Sequence, residues 1–146
     1  MKKTIFFSVL SLIVVTTFLS SCSKYDEGSK FTLLTKKSRM VNDWHLMSET
    51  VDGFEINLSE ISKQLELSKD GSYKYTDSYI ILGQTYGDIT IGTWEFNDDK
   101  SKLVLTETGA TITDEYTILK LTKDELKTEQ IDPLIGTVAV FTWATK

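Results

Sequence analysis

The fold can be read most directly from Ile91-Gly-Thr-Trp-Glu-Phe-Asn-Asp-Asp-Lys-Ser-Lys-Leu-Val-Leu-Thr106. Strand-forming residues lead into a polar run, Asn97–Ser101, and apolar residues resume at Leu103. Two β-prone runs on either side of a cluster of turn formers predict a β-hairpin.

The same pattern occurs on both sides of this hairpin, at Leu65–Tyr75 and at Ile118–Thr128. Consecutive hairpins make an antiparallel meander, and closing the meander removes the unpaired edges of an open sheet. We count about eight strands, the number at which a barrel interior is just filled by side chains or holds one small ligand. The sequence therefore predicts an all-β fold, an antiparallel meander barrel of about eight strands.

Segments outside the hairpins complete this prediction. Trp44–Val51 is predicted as the first strand and Thr137–Ala144 as the last. Before them, Phe31–Val41 has apolar residues near helical spacing, which predicts a short N-terminal helix across one end of the sheet. Leu58–Ile61 is predicted as one turn of helix, because Ser59 can cap it.

The strand before the central turn carries two apolar pairs in opposite phases. Ile89 and Ile91 share one phase, whereas Trp94 and Phe96 share the other. A strand of period two cannot bury both pairs on one face. Gly92 lies at the change of phase, so the sequence predicts a β-bulge or a sharp bend there.

The N-terminus has the pattern of an export signal. Met1-Lys2-Lys3 is a short positive region, and the apolar stretch Ile5–Leu19 that follows is shorter than the about 20 apolar residues of a transmembrane helix. The next residues, Leu19-Ser20-Ser21-Cys22, resemble the lipobox of bacterial lipoproteins. In that motif the cysteine becomes the first mature residue and carries the lipid.

Cys22 is the only cysteine of the 146 residues, and a free thiol is uncommon in an exported protein. We therefore predict that Cys22 is lipidated and that acyl chains hold the protein at the membrane. The predicted regions are a signal peptide at 1–21, a lipidated tether at 22–30 and the β-barrel domain at 31–146.

The charge of the chain argues against some partners. The formal net charge is −5, and loss of Lys2 and Lys3 with the signal peptide makes it about −7 for the 125 remaining residues. An acidic body argues against nucleic acid and against a polybasic hold on anionic lipid. Lys24-Tyr25-Asp26-Glu27 resembles the acidic tract that sends some Gram-negative lipoproteins to the cell surface, although it also suits a solvated linker. We predict a monomer in the cell envelope, lipid-anchored to the outer membrane and facing either the periplasm or the surface.

The start of the first strand at Asn42-Asp43-Trp44, the strand Gly92–Phe96, the hairpin Leu119–Leu126 and the lipobox together resemble bacterial lipocalin-like lipoproteins. The resemblance covers most of residues 31–146. It implies an eight-stranded meander barrel and binding of a small apolar ligand. Two features depart from the pattern. Lipocalins proper carry Gly-x-Trp on the first strand, where this chain has Asn42, and they stack an arginine from near the last strand on that tryptophan. The only arginine here is Arg39.

No pattern for catalysis, a metal or a cofactor is found. His45 is the only histidine, and a lone histidine without cysteine cannot form a common zinc site. Acidic pairs occur at Asp98-Asp99, Asp114-Glu115 and Asp124-Glu125, and glycoside hydrolysis needs two carboxylates at a defined separation. Two of the three pairs lie in predicted turns, where Asp is expected. We predict no enzymatic activity, no metal and no cofactor.

Two classes of function remain. The first is a binding module that holds a small apolar or carbohydrate ligand. The second is a structural or accessory subunit of an envelope complex, with a filled barrel and no small ligand. A cavity of about 300 Å³ or more would favour the first class. Aromatic side chains could stack on a sugar, but the tryptophans are predicted as core residues.

The predicted ligand site lies at the open rim of the barrel. The segment chosen is apolar without clean period-two alternation, and binding sites in small barrels lie at the mouth. Gly83 and Gly87 bracket Gln84–Tyr86 and would let that part move as a lid. The alternative is that Tyr79–Leu82 is a plain buried strand. The predicted rim residues are Tyr79, Ile80, Ile81, Leu82 and Tyr86.

Overall fold

The computed structural model describes residues 34–146. Cys22 and the predicted signal peptide and tether lie outside these residues. Within the described part, one short helix is followed by nine strands. In chain order the elements are α1 (Lys36–Met40), β1 (Asp43–Val51), β2 (Phe54–Glu55), β3 (Ile61–Leu67), β4 (Ser72–Ile81), β5 (Gln84–Phe96), β6 (Lys102–Glu107), β7 (Thr113–Leu121), β8 (Glu125–Ile131) and β9 (Val138–Thr145).

The strands form one antiparallel sheet that closes on itself. From β3 to β9 each strand pairs with the next along the chain, and β1 pairs with both β3 and β9. The two-residue β2 pairs only with the end of β1, so eight strands make the wall. The prediction of an eight-stranded antiparallel meander barrel is confirmed, and its up-and-down order is lipocalin-like.

The central hairpin has the predicted turn. The pair Phe96 and Leu103 ends the ladder between β5 and β6. Asn97 Oδ1 then accepts a hydrogen bond from Lys102 N at 2.8 Å, and Asp99 Oδ1 accepts one from Ser101 N at 2.8 Å. These local bonds satisfy backbone donors that the ladder leaves free, which is why such residues favour turns.

We call the barrel end with the β5–β6 and β7–β8 turns the floor, and the opposite end the mouth. The helix α1 lies at the floor, where Arg39 Nη1 donates to Leu121 O at 3.2 Å and Lys36 Nζ donates to Lys100 O at 2.6 Å. The predicted N-terminal helix is thus present, although it spans only five residues. The buried apolar core packs above it and consists of Met40, Trp44, Leu65, Leu67, Tyr73, Trp94, Leu103, Leu105, Ile118, Leu121, Leu126, Phe141 and Trp143.

The helical turn predicted at Leu58–Ile61 is wrong. Ile61 N donates to Leu58 O at 3.2 Å, which closes a single β-turn, and Ile61 already begins β3. Asn57 stabilises this turn instead of Ser59, because its Oδ1 accepts from Ser59 N at 3.0 Å.

Of the β-bulge or sharp bend predicted at Gly92, the β-bulge is wrong. The register of β5 is continuous through Gly92 against β4, and the ladder with β6 begins at Gly92 and runs to Phe96 without a shift. The conflict of phase is resolved differently, because Ile89 and Ile91 remain on the outer face with 65% and 56% of their surfaces exposed. Gly92 is needed for a close approach, since a Cβ there would lie 2.7 Å from Tyr73 Cε1 and closer still to the carbonyl oxygen of Thr106.

Candidate ligand-binding site

A cavity of about 310 Å³ lies inside the barrel, between the packed floor and the mouth. Small-molecule sites typically have volumes of about 300–1,000 Å³, so the space suits one small ligand. All strands of the wall except β1 contribute inward side chains. The lining consists of Lys63, Tyr73, Tyr75, Thr90, Leu105, Glu107, Asp114, Tyr116, Gln130, Phe141 and Trp143.

The inward positions change from apolar to polar along the strands. On β3, Leu65 points into the core, and Lys63 follows two residues nearer the mouth. On β6, the same step leads from Leu105 to Glu107. Because side chains at i and i+2 share one face of a strand, the lower half of the interior is packed and the upper half is polar.

A partly buried ion pair crosses one wall of the cavity. Lys63 Nζ lies 2.7 Å from Glu49 Oε2, and the two side chains are 17% and 12% exposed. A register shift between Leu46 and Ser48 places Glu49 opposite the inward-facing Phe141. This β-bulge therefore turns a carboxylate toward the interior, where it pairs with the lysine.

Three tyrosines line the cavity with raised pKa values. Burial is the largest cause for Tyr73, Tyr75 and Tyr116. Nearby carboxylates add to the shift, Asp77 for Tyr75 and Asp114 for Tyr116. Both causes disfavour a phenolate, so the hydroxyls stay protonated and can donate hydrogen bonds to a ligand.

Two carboxylates lie on the mouth side of these tyrosines. Asp114 Oδ1 accepts a hydrogen bond from Gln130 Nε2 at 3.5 Å. Among residues 34–146, neither Glu107 nor Asp114 takes part in an ion pair. The cavity therefore offers hydrogen-bond donors, acceptors and negative charge beside the aromatic faces of Phe141 and Trp143.

The predicted rim residues lie beyond this cavity, and none of them lines it. Tyr79, Ile81 and Tyr86 share the inward phase of the β4–β5 hairpin, and the rings of Tyr79 and Tyr86 stack with centroids 5.9 Å apart. Ile80 is on the outer face, and Leu82 is fully exposed at the turn. The structure thus brings the two tyrosines together and leaves Leu82 apart.

The alternative of a plain buried strand at Tyr79–Leu82 is wrong, and the part bracketed by Gly83 and Gly87 belongs to a strand rather than to a loop. Residues 84–96 form one continuous strand that pairs with β4 up to the turn. The turn itself is tight, with positive φ at Leu82 (51°) and Gly83 (78°). The hairpin beyond the mouth is exposed on both faces, because Tyr79, Ile81 and Tyr86 expose 40%, 52% and 45% of their surfaces.

Sequence reasoning missed most of the cavity. A usable signal was present, since Lys63, Tyr75 and Glu107 stand in the same phase as buried neighbours two residues away, and Asp114 stands two residues from the half-buried Tyr116. Polar residues in the inward phase of several strands indicate that the barrel interior is not filled by apolar side chains alone.

The other sequence candidates do not form a site. No group of metal-ligating side chains is found within residues 34–146. His45 Nε2 lies 3.3 Å from Asp43 Oδ1, its neighbour on the same strand. Asp114 and Glu115 are adjacent on β7 and so point to opposite faces, which prevents joint action on one substrate.

Two further depressions lie outside the barrel. One of about 370 Å³ lies against Met47 and residues 55–58, and one of about 500 Å³ lies beside α1 near Lys69. Unlike the interior cavity, neither is lined by aromatic side chains. In the described part of the chain, no helix is long and apolar enough to span a membrane.

No protein-family model matches the chain, and no curated protein is detectably similar to it. Among solved structures, it is similar to the bovine lipocalin allergen Bos d 2, with 16% identity, a TM-score of 0.49 and coverage of 77% of this chain and 76% of that chain. A bovine odorant-binding protein in complex with a selenium-containing odorant gives 14% identity, a TM-score of 0.48 and coverage of 81% and 77%. Each TM-score is below 0.5, so the fold rests on the strand pairing of this chain.

Proposed function

We propose that this chain is a lipid-anchored binding protein of the cell envelope and that its barrel holds one small molecule. The observation that carries the proposal is the cavity of about 310 Å³ enclosed by the barrel wall. A barrel filled by its own side chains would have no such space. The volume therefore supports a binding module over a structural subunit with a filled barrel.

The lining favours a ligand with one apolar face and several polar groups. Phe141 and Trp143 offer ring faces, while Thr90, Gln130 and the tyrosine hydroxyls offer hydrogen bonds. A wholly apolar molecule would leave these polar groups without partners, which costs about 1–3 kcal/mol for each buried group. The lining therefore suits a ligand that combines polar groups with an apolar face, of which a saccharide ring is one example, better than it suits a wholly apolar molecule.

An accessory role in an envelope complex remains a second candidate because of the outer surface. Ile80, Leu82, Ile89 and Ile91 are all exposed on or near the β4–β5 hairpin. Exposed apolar patches of this kind often mark protein–protein contacts. Such a contact would use the outside of the wall, so it is compatible with a ligand inside.

Mass spectrometry of the protein purified from its own host tests the proposal. Under native conditions the wild type should carry a small molecule. Thr90 lines the cavity, so Thr90→Phe should fill the space and lose that mass. Thr93 lies on the same strand but is exposed and in the outward phase, so Thr93→Phe should keep it. Under denaturing conditions the wild type should have the mass of residues 22–146 plus acyl groups.

The two halves of the proposal can fail separately. If all three proteins carry the same small molecule, or none does, the cavity is not the binding site. If the denatured mass shows no acyl groups, or if Cys22→Ser retains them, the anchor is wrong. Overpacking can cost about 1–3 kcal/mol, so a thermal melt should confirm that Thr90→Phe is folded.

A further inference from the structure

Acidic side chains outnumber basic ones in the described lining of the cavity. Lys63 is the only cationic side chain in the described lining, and its Nζ is neutralised by Glu49 Oε2 at 2.7 Å. Glu107 and Asp114 line the same space, and no ion pair within residues 34–146 includes them. Two carboxylates at the cavity are therefore left without a compensating charge from the protein.

A second acidic pair lies nearer the mouth. Asp77 on β4 and Asp88 on β5 are directly opposite each other in the ladder. They share the inward phase of Tyr75 and Thr90, and neither is in an ion pair among the described residues. Like charges at directly opposite positions destabilise a sheet, so a cation at the mouth would relieve this repulsion.

Tyr73 gives an independent indication that the cavity receives a ligand. It lines the cavity with only 6% of its surface exposed, and its hydroxyl has no hydrogen-bond partner within residues 34–146. Burial, together with Glu107 and Asp114, raises its pKa, so the hydroxyl remains a donor. The hydroxyl oxygen is accessible from the open cavity, so an acceptor on a ligand there can reach it.

The aromatic wall can also accept a cation. Lys63 Nζ already stands 5.6 Å from the ring centroid of Phe141. Ammonium groups are attracted to ring faces within about 6 Å. Trp143 and Tyr116 line the same space and offer further aromatic surface to a ligand.

Resting on the proposed binding function, we infer that the ligand is an organic amine whose protonated nitrogen is held by Glu107 and Asp114. Its apolar or aromatic body lies against Trp143, and an acceptor on it reaches the hydroxyl of Tyr73. A ligand with a carboxylate would face the same two side chains with like charge and would be rejected.

The inference is tested with three probes that share one phenyl framework and differ in charge. They are 2-phenylethylammonium, the neutral 2-phenylethanol and the anionic phenylacetate. Titration calorimetry of the purified protein at neutral pH and low salt should show the ammonium binding about tenfold more tightly than the alcohol, because charge-assisted hydrogen bonds are roughly twice as strong as neutral ones. Phenylacetate should bind most weakly. The preference should fall as salt is added.

Two matched variants show whether the carboxylate of Asp114 causes the preference for the ammonium probe. Asp114→Asn removes one negative charge from the cavity and should weaken ammonium binding about fivefold, while binding of 2-phenylethanol changes by less than about twofold. Glu115→Gln removes the same charge from the next residue of β7, which pairs with Lys102 outside the barrel, and should change neither.

Equal affinity of the alcohol and the ammonium would overturn the inference and leave the proposed function standing. Tighter binding of phenylacetate than of 2-phenylethylammonium would also overturn it, because Lys63 would then determine which charge the cavity prefers. So would ammonium binding that survives in Thr90→Phe, because the probe would then lie outside the cavity. Absence of binding by all three probes overturns the inference as well, and the co-purified mass then judges the proposed function separately.

Discussion

Trp94 joins three parts of the barrel through one side chain. Its indole Nε1 donates to Ser68 O in the β3–β4 turn at 2.8 Å, and its ring meets Phe96 edge to face at 5.6 Å. Lys37 Nζ of α1 lies 5.7 Å from the same ring. With 5% of its surface exposed, Trp94 is a core residue, as its alternation with Phe96 predicted.

Trp94→Ala should therefore lower the free energy of unfolding by about 3–5 kcal/mol, the range for large aromatic truncations. The measurement is the midpoint and slope of chemical denaturation. Thr93→Ala, one position away on the exposed outer face, is the control and should stay within about 0.5 kcal/mol of wild type. A wild-type midpoint for Trp94→Ala would show that the indole contributes no packing.

Burial could be predicted from the sequence for some residues and not for others. Trp44 and Trp94 could be predicted as core because they alternate with polar neighbours. Glu49 could not be placed, because its inward direction depends on a bulge that has no glycine to signal it. Asp114 could not be placed either, since its adjacency to Glu115 does not tell which of the two side chains faces the interior.

At the scale of the element, the β4–β5 hairpin differs most from its prediction. Ile80 and Leu82 belong to an apolar run without clean alternation, which predicts either a barrel rim or a buried strand. Ile89 and Ile91 stand out of phase with Trp94, which predicts a bulge or a bend at Gly92. In the structure these side chains simply lie outside, because a long hairpin has two faces and the barrel covers only part of one. The repeated hairpin pattern still gave the strand order, since meander pairing follows from local turns.

Because the side chains of the β4–β5 hairpin are exposed, we predict that substitutions there have little effect on the free energy of unfolding. Ile81→Ser and Tyr86→Ala should each alter the free energy of unfolding by less than about 1 kcal/mol, because cross-strand pairs contribute about 0.2–1 kcal/mol. Thermal or chemical denaturation measures this, with Thr85→Ala on the outward phase as the control. Unfolding of Ile81→Ser would mean that the segment is core.

The same variants decide whether the rim residues take part in binding. If Tyr79 and Tyr86 guide the ligand into the cavity, Tyr86→Ala should weaken 2-phenylethylammonium binding while Thr85→Ala does not. Unchanged affinity in Tyr86→Ala would remove the rim from the site and leave the cavity as the whole of it.

At the scale of the molecule, the two ends of the barrel differ in the side chains that fill them. The floor is packed by aromatic and aliphatic side chains and covered by α1, so it supplies stability. Leu34, the first described residue, leads into α1 at the floor. The interior near the mouth is polar and acidic, and its carboxylates Glu107 and Asp114 are exposed, so it adds little to the packed core.

The barrel could be predicted from sequence because each hairpin has a turn signal between two strand-forming runs. The cavity could not be predicted in this way. Its volume is the difference between the size of an eight-stranded barrel and the side chains that fill it. That difference depends on register and bulges across strands that are distant in the chain, such as β1 and β9. The chemistry of the lining follows only once those registers are known.

Labelling with 5-fluorotryptophan tests the central claim most directly, because the three tryptophans occupy different places. Trp143 lines the cavity, whereas Trp44 and Trp94 are buried toward the floor and do not line it. Fluorine NMR during titration with 2-phenylethylammonium, and separately with 2-phenylethanol, should shift the Trp143 resonance and leave the other two in place. Assignment comes from Trp143→Phe. If a probe that binds by calorimetry leaves Trp143 in place, or if Trp44 and Trp94 move while Trp143 does not, the interior of this barrel is not the binding site.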